Sequence, residues 1–211
     1  HALDWGEVGL DDTLRALHAA GIHVAGAGYD ASAAQQAAVV PVGAHARVRT
    51  VGLASLTSGV PPAWRAAVGQ PGLNMIADSI DRTVQAVLAG IGAAAPGDIG
   101  VVSIHWGGNW GYAVPGWQRR LAHALIDTGR VHVVHGHSAH HPKGIEVYRD
   151  RLVLYGCGDL INDYEGISGH EAFRSDLRLL YLPLLDAESG RLLELTLTPM
   201  RAARFRLQRT T

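Results

Sequence analysis

Two apolar runs that each end in histidine constrain the fold of this chain more than any other feature. Residues 101–108 read Val-Val-Ser-Ile-His-Trp-Gly-Gly, and residues 131–141 read Val-His-Val-Val-His-Gly-His-Ser-Ala-His-His. An apolar run closed by a glycine-containing turn is typical of a buried strand. The segment between them, with Pro115 at its start, predicts a crossover helix. Strand, helix and strand in this order predict a parallel pair that carries both histidine-bearing ends to the same end of a sheet.

The remaining hydrophobic pattern predicts further helices and strands on both sides of this unit. Helices are predicted over 7–20 and 74–91, and Asp30 is suited to N-cap a small helix. Strands are predicted over 22–26, 39–42, 47–53, 98–106 and 131–134, and 55–72 is predicted to be a loop. After residue 145 the pattern changes to short strands separated by turns, over 145–148, 152–155, 177–186, 192–199 and 204–207. The sequence therefore predicts an α/β fold whose C-terminal part is a mostly antiparallel sheet.

Composition excludes several classes of protein. The 211 residues suit one domain, and 18 Lys and Arg against 19 Asp and Glu give no net field that would attract nucleic acid. No apolar run approaches the ~20 residues of a membrane span. Cys157 is the only cysteine, which excludes an internal disulfide and a thiolate zinc site. Because the sequence begins with His1, we expect any targeting segment to lie upstream of residue 1.

Histidines are concentrated where the second run ends. Four imidazoles fall within seven residues there, and such a group would repel itself if it were charged. A divalent cation of the Mn, Fe or Zn type is the usual reason to keep imidazoles neutral and converging, whereas the alternative is a polar surface loop. His105, at the end of the first run, is either a further site residue or a core histidine bonded to backbone. We therefore predict a metal site, and the identity of the metal is open. Its candidate ligands are the following residues: His105, His135, His137, His140.

A family resemblance rests on five motifs in a fixed order. They are His1-Ala2-Leu3-Asp4-Trp5-Gly6, His105-Trp106-Gly107, Gly136-His137, Ile145-Glu146-Val147-Tyr148 and Tyr155-Gly156-Cys157-Gly158-Asp159. In this order the chain resembles the CapA-type capsule synthesis proteins of poly-γ-glutamate biosynthesis, which belong to the calcineurin-like metallophosphoesterase superfamily. The resemblance implies one domain over 1–211 with a four-layer α-β-β-α sandwich.

The resemblance also implies roles for individual residues. His1 corresponds to a histidine that acts as general acid or contacts phosphate in the superfamily, and Asp4 belongs to the same catalytic motif. His105 corresponds to a metal ligand. The family's Gly-x-His-Pro-His motif fits in two registers, either His137 with His140 or His135 with His137, and only His137 belongs to both.

The activity implied is metal-dependent hydrolysis of a phosphoester or related bond, with an anionic polymer or phosphoester as substrate. The alternatives are a non-catalytic subunit of a membrane-associated capsule synthase or export complex, and a hydrolase of glutamyl peptide bonds. The family's carboxylate and amide ligands would lie upstream of residue 1. We therefore expect the domain to be N-terminally incomplete and this chain alone not to be fully active.

Two further sets of polar residues have open interpretations. Asp159, Asn162 and Asp163 follow a predicted strand and either line the same site or form a turn. Several arginines could contact an anionic substrate, although a solvated basic face is the favoured interpretation: Arg119, Arg120, Arg201, Arg204, Arg206.

Overall fold

The structure, a computed structural model, describes residues 1–93, 95–162, 164 and 166–210. Its helices are α1 (Gly6–Ala19), α2 (Ala31–Gln35), α3 (Ile80–Ile91) and α4 (Gly116–Asp127), with short 3-10 turns at Leu56–Ser58, Pro62–Trp64 and Glu171–Phe173. Its strands are β1 (Ala27–Gly28), β2 (Ala38–Val42), β3 (Ala46–Ala54), β4 (Gly72–Leu73), β5 (Asp98–His105), β6 (Val133–His137), β7 (Ile145–Tyr148), β8 (Arg151–Leu154), β9 (Leu177–Leu185), β10 (Leu192–Ala203) and β11 (Arg206–Arg209).

A six-stranded sheet forms the centre of the molecule, in the order β2-β3-β5-β6-β8-β7. Its four inner strands run parallel, and β2 and β7 pair antiparallel at the two edges. The parallel pairing of β5 with β6 confirms the prediction from the two apolar runs. These strands read as nearly continuous apolar sequence because both faces of the sheet are covered.

Different elements cover the two faces of the central sheet. One face packs against α3 and α4 through Val102, Ile104 and Val134, which contact buried helix residues such as Val87 and Leu121. The other face packs through Val133, Leu152 and Leu154 against a three-stranded antiparallel sheet of order β11-β10-β9. The described residues thus form a helical layer, a mixed sheet and a second sheet. A smaller core lies under α1.

This architecture confirms the predicted α/β class with a central mixed sheet and an antiparallel C-terminal sheet, and it corrects several boundaries. The predicted helix over 74–91 begins only at Ile80, after Ser79, whose hydroxyl accepts the Arg82 N–H at 3.3 Å. The residues just before Ile80 make hydrogen bonds with strand β3 instead. Buried Asn74 donates its side-chain amide to the Gly52 carbonyl at 3.0 Å, and the Ile76 N–H donates to Ala54. These tertiary hydrogen bonds override the helical apolar spacing.

The predicted strand over 22–26 is wrong. Only Ala27 and Gly28 form a strand, paired with β4. Gly26 lies so close to Gly52 that an added Cβ would come within 2.9 Å of the Gly52 Cα, and this contact replaces a ladder with β3. β6 begins later than predicted and extends through His137. Within the described part of the chain, no helix has the length and apolarity needed to cross a bilayer.

Candidate functional site

The register of β5 and β6 brings four polar side chains together at one end of the central sheet. Ser103 pairs with His135, and His105 pairs with His137. Residues two apart on a strand point to the same face, so all four side chains lie on one face. That face is apolar along most of its length, where it carries Val101 and Val133, and becomes polar only at the carboxyl ends of the strands.

The imidazoles of His105 and His137 are in direct contact. Their Nδ1 atoms lie 3.0 Å apart, and their ring centroids are separated by 5.0 Å. The Nδ1 of His135 lies 3.0 Å from the Ser103 hydroxyl, and its ring centroid lies 5.5 Å from that of His137. The three rings therefore form a continuous group across two adjacent strands.

Burial keeps these imidazoles neutral. Burial, together with the smaller effect of the neighbouring His135 and His105, lowers the pKa of His137 to about 3. Burial also lowers the pKa of His105 and of His135. A neutral imidazole has a free lone pair on one nitrogen, which is the form that binds a cation.

The backbone around His137 is constrained on both sides. A Cβ on Gly136 would lie 2.5 Å from the Trp106 indole nitrogen and 2.7 Å from the Leu154 carbonyl oxygen, so only glycine fits between the two histidines. Ser138 has a φ of 113°, and its hydroxyl donates to the Gly107 carbonyl at 2.8 Å. Left-handed backbone at a non-glycine residue is costly and occurs where surrounding contacts enforce it, often at functional sites.

A cleft of about 330 Å³ opens onto this group. His1, His105 and His137 all line it, although they come from three separate segments of the chain. His1 is exposed, and its Nδ1 lies 2.6 Å from the Asp4 carboxylate. The structure therefore brings His1 to the same cleft as two of the candidate metal ligands, whereas Asp4 does not line the cleft and contacts it only through the His1 ring.

His140 lies in a different group. Its Nδ1 is 3.1 Å from the Asp159 carboxylate and 3.1 Å from the Tyr164 hydroxyl, and its ring is 5.5 Å from that of Trp110. It does not line the cleft. The structure thus places Asp159 in this second group, together with Asn162, which donates to it at 3.1 Å. Asp163 lies outside the described residues.

The donor set at the cleft suits part of a metal site. Two ligand nitrogens of a tetrahedral cation lie about 3.3 Å apart, since each is ~2.0–2.1 Å from the metal, and the 3.0 Å between the Nδ1 atoms is close to this. However, across 1–93, 95–162, 164 and 166–210 there is no group of three or more His, Cys, Asp or Glu side chains arranged to hold a metal ion. The His105–His137 pair can supply two ligands and needs others.

Sequence reasoning did not identify two features of this region. The position of Ser103 beside the histidines could have been predicted from the sequence, because Ser103 lies two residues before His105 on the same strand and therefore on the same face. The aromatic group around Trp110 could not have been predicted. The His170 ring stacks on Trp110 with 4.1 Å between the ring centroids, but His170 is about sixty residues away along the chain. Such a contact has no local signal in the sequence.

The fold and the cleft define an α/β protein that presents paired histidines at the carboxyl ends of parallel strands. The chain belongs to the family described as bacterial capsule synthesis protein PGA_cap, whose model matches residues 1–164.

Curated relatives agree with this family. The chain is 50% identical over 211 residues to a probable polyglutamine synthesis accessory protein of Mycobacterium tuberculosis, an alignment that covers 99% of this chain and 55% of the relative. It is 29% identical over 164 residues to the PGA biosynthesis protein CapA of Bacillus subtilis, covering 77% of this chain and 40% of that protein. It is 27% identical over 164 residues to the capsule biosynthesis protein CapA of Bacillus anthracis, covering 77% and 38%. The chain therefore spans about half the length, or less, of these relatives.

Proposed function

We propose that this chain acts in the synthesis of a poly-γ-glutamate or related capsule polymer, as a metal-dependent hydrolase of the metallophosphoesterase kind. The observation that carries the proposal is the pairing of neutral His105 and His137 at the carboxyl ends of adjacent parallel strands, in a cleft that His1 also lines. The family and the names of the relatives support the process, and the cleft supports the chemistry.

In this proposal His105 and His137 hold a divalent cation of the Mn, Fe or Zn type, with His135 as an additional candidate ligand. Such an ion, when bound, activates water and stabilises charge on the oxygens of a phosphoester. His1 contacts the substrate oxygen, and the Asp4 carboxylate fixes the orientation of the His1 ring through its Nδ1. Unless His135 turns toward the ion, its remaining ligands would be bound water or groups other than the described side chains, because no three described His, Cys, Asp or Glu side chains are arranged to hold a metal.

The layered architecture is also compatible with the metallophosphoesterase class. We propose that the helical layer, the central sheet and the C-terminal sheet correspond to three layers of the α-β-β-α sandwich of metallophosphoesterases. The described part of the chain contains no helical layer outside the C-terminal sheet.

Metal content tests the site. The complete gene product, stripped with chelator and then dialysed against Mn²⁺, is expected to retain metal by elemental analysis, and His137→Ala is expected to retain less than half as much. His18→Ala is the matched control, since His18 is an exposed histidine on α1. Equal metal stoichiometry in all three proteins would contradict the assignment.

A second candidate function is supported by exposed leucines on the C-terminal sheet. Leu182, Leu184 and Leu193 expose 49%, 57% and 60% of their surface. An exposed apolar strand surface suits docking to another protein, so the alternative is a non-catalytic subunit of a capsule polymer synthase.

Turnover separates the two functions. Hydrolysis of bis-p-nitrophenyl phosphate that requires Mn²⁺ and is lost in the His105→Ala, His137→Ala double variant would favour the hydrolase. Full capsule production by a strain that carries this double variant would favour the subunit.

A further inference from the structure

A second polar pocket lies far along the chain from the histidine cleft, at one end of the C-terminal sheet. It has a volume of about 220 Å³ and lies where the start of β9, the end of β10 and β11 meet residues 160–162 and Tyr164. Its charged and polar lining includes the following residues: Asn162, Tyr164, Ser175, Asp176, Arg178, Arg201, Arg206.

Arg178 is a buried cation with no ion-pair partner among the residues that the structure describes. Its residue exposure is 3%, and its Nη1 donates to the carbonyl oxygens of Ser175 and Leu177. Its Nε is buried and has no hydrogen-bond partner within 1–93, 95–162, 164 and 166–210. Among the residues that the structure describes, no carboxylate forms an ion pair with it. Because a guanidinium stays charged at every physiological pH, burial without a counter-ion is unfavourable, and a bound anion would relieve it.

Two other arginines add positive charge at the rim. Arg201 lies 3.4 Å from the Asp176 carboxylate, which Arg174 also binds at 3.0 Å. Arg206 is exposed on β11, where it pairs with Ala203 of β10. Over the described lining, three arginines face a single carboxylate that is already shared. The described lining thus carries a net positive charge, although the chain as a whole has a net charge of −1.

We infer that this pocket binds carboxylate groups of a glutamyl polymer, through Arg178, Arg201 and Arg206. The inference rests on the proposed function for the identity of the polymer. A γ-linked glutamyl chain carries one free carboxylate on every residue, separated by methylene groups. A guanidinium binds a carboxylate through two parallel N–H donors, and Leu160 and Leu207 in the same lining suit the methylene spacers.

Isothermal titration of the complete gene product with a γ-linked glutamate hexamer tests the inference. Arg206→Gln and Arg201→Gln are each expected to weaken binding at least fivefold. Arg209→Gln is the matched control, because Arg209 lies on the same strand, β11, and does not line the pocket, and it is expected to change binding less than twofold. Arg178→Lys keeps the buried charge but removes the planar fork, and it is expected to weaken binding while circular dichroism stays unchanged.

Three results would overturn the inference. One is equal loss of affinity in Arg206→Gln and Arg209→Gln. Another is binding of inorganic phosphate, titrated in parallel, with no binding of the hexamer. The third is hexamer binding that is unaffected by both rim variants.

Metal binding separates this inference from the proposed function. Arg206→Gln is expected to retain wild-type Mn²⁺ content while it loses hexamer affinity. Arginine-dependent hexamer binding in a protein that retains no metal would support this pocket and refute only the metal site.

Discussion

The central sheet and the C-terminal sheet differ in how their strands are stabilised. Strands β5 and β6 are buried on both faces, between two helices and the second sheet, and carry the histidine cleft at their carboxyl ends. Strands β9 and β10 are longer, but many of their side chains are exposed. The family model ends at residue 164, before β9 begins, whereas the 50% identity to the mycobacterial relative extends over nearly the whole chain.

This difference separates the two candidate sites. The histidine cleft lies in the part that the family model covers, and the arginine pocket depends on strands that lie beyond that match. A buried parallel sheet holds side chains in fixed positions, which suits metal ligands, whereas an exposed antiparallel sheet leaves long charged side chains accessible to a polymer. The following predictions test whether the two sheets differ in stability as this comparison requires, and how they are coupled.

The largest expected effect comes from truncating the same side chain in each sheet. Leu152 on β8 is 0% exposed, and Leu193 on β10 is 60% exposed. Leu152→Ala is expected to lower the free energy of unfolding by about 3–4 kcal/mol, because it removes buried contacts and leaves a cavity. Leu193→Ala is expected to change it by less than about 0.5 kcal/mol. Urea denaturation monitored by circular dichroism measures both, and comparable losses would contradict the difference between the sheets.

A pH-dependent effect is expected at His132, which connects the two sheets. Its Nδ1 accepts the Gly100 N–H at 2.9 Å, and Gly190 of the β9–β10 turn packs on its ring. Burial, together with the smaller effect of Arg151 and Arg130, lowers the pKa of His132 to about 4. Since the unfolded chain binds the proton more readily, His132 contributes stability above pH 6.5 that is lost as the pH falls toward 4. The loss is about 3 kcal/mol, because each pKa unit is worth about 1.4 kcal/mol.

Unfolding titrations at pH 7.5, 5.5 and 4.5 measure this loss. The difference in stability between the wild-type protein and His132→Asn should shrink as the pH falls. The exposed His23 provides the control variant His23→Asn, whose difference from wild type should stay constant. A constant difference for His132→Asn as well would show that His132 does not titrate as expected.

The contact between the sheets can be broken from the other side at Gly190. A Cβ there would lie 2.0 Å from the His132 ring, and the residue has a φ of 68°. Gly43 in the β2–β3 turn has a similar φ of 61° but nothing within 4 Å of an added Cβ. Gly43→Ala is expected to cost about 1 kcal/mol from the backbone alone, and Gly190→Ala about 2 kcal/mol more from the overlap. Thermal unfolding compares the two variants, and equal shifts would show that the turn moves away from His132 freely.

The smallest expected effect compares an ion pair in each sheet. Burial by itself would raise the pKa of Asp98, but hydrogen bonds from Arg47 at 2.7 Å, from the Ala95 N–H and from Arg49 at 2.8 Å lower it to about 2. Asp98 therefore contributes stability above its unfolded pKa of 3.8 that is lost as the pH falls toward 2.

Asp98→Asn is expected to cost about 2 kcal/mol at pH 7, a figure reduced for the partial exposure of Arg47, and progressively less in acid. Asp176→Asn, in the more exposed ion pairs of the C-terminal sheet, is expected to cost less than about 1 kcal/mol. Guanidinium denaturation at pH 7 and pH 3 measures both. A larger cost for Asp176→Asn would reverse the comparison.

Local patterns in the sequence were sufficient for much of the fold. The parallel β5–β6 pair, the helix after Pro115, the Asp30 N-cap and the hairpins after residue 145 follow from apolar runs and turn residues, and the structure confirms them. The strand predicted over 22–26 and the early start of α3 were wrong, because Asn74 and Gly26 make contacts with Gly52 that only the folded chain supplies.

Residue types and their order along the chain were enough to determine that this is an α/β protein with histidines at two strand ends. Only the tertiary structure decided that His105 lies opposite His137, that His140 turns toward Asp159, and that Arg178 is buried. The physical reason is that apolar periodicity specifies which face of a strand is buried but does not specify the strand beside it. Register, and therefore every distance between side chains from separate segments, is set when the sheets pack.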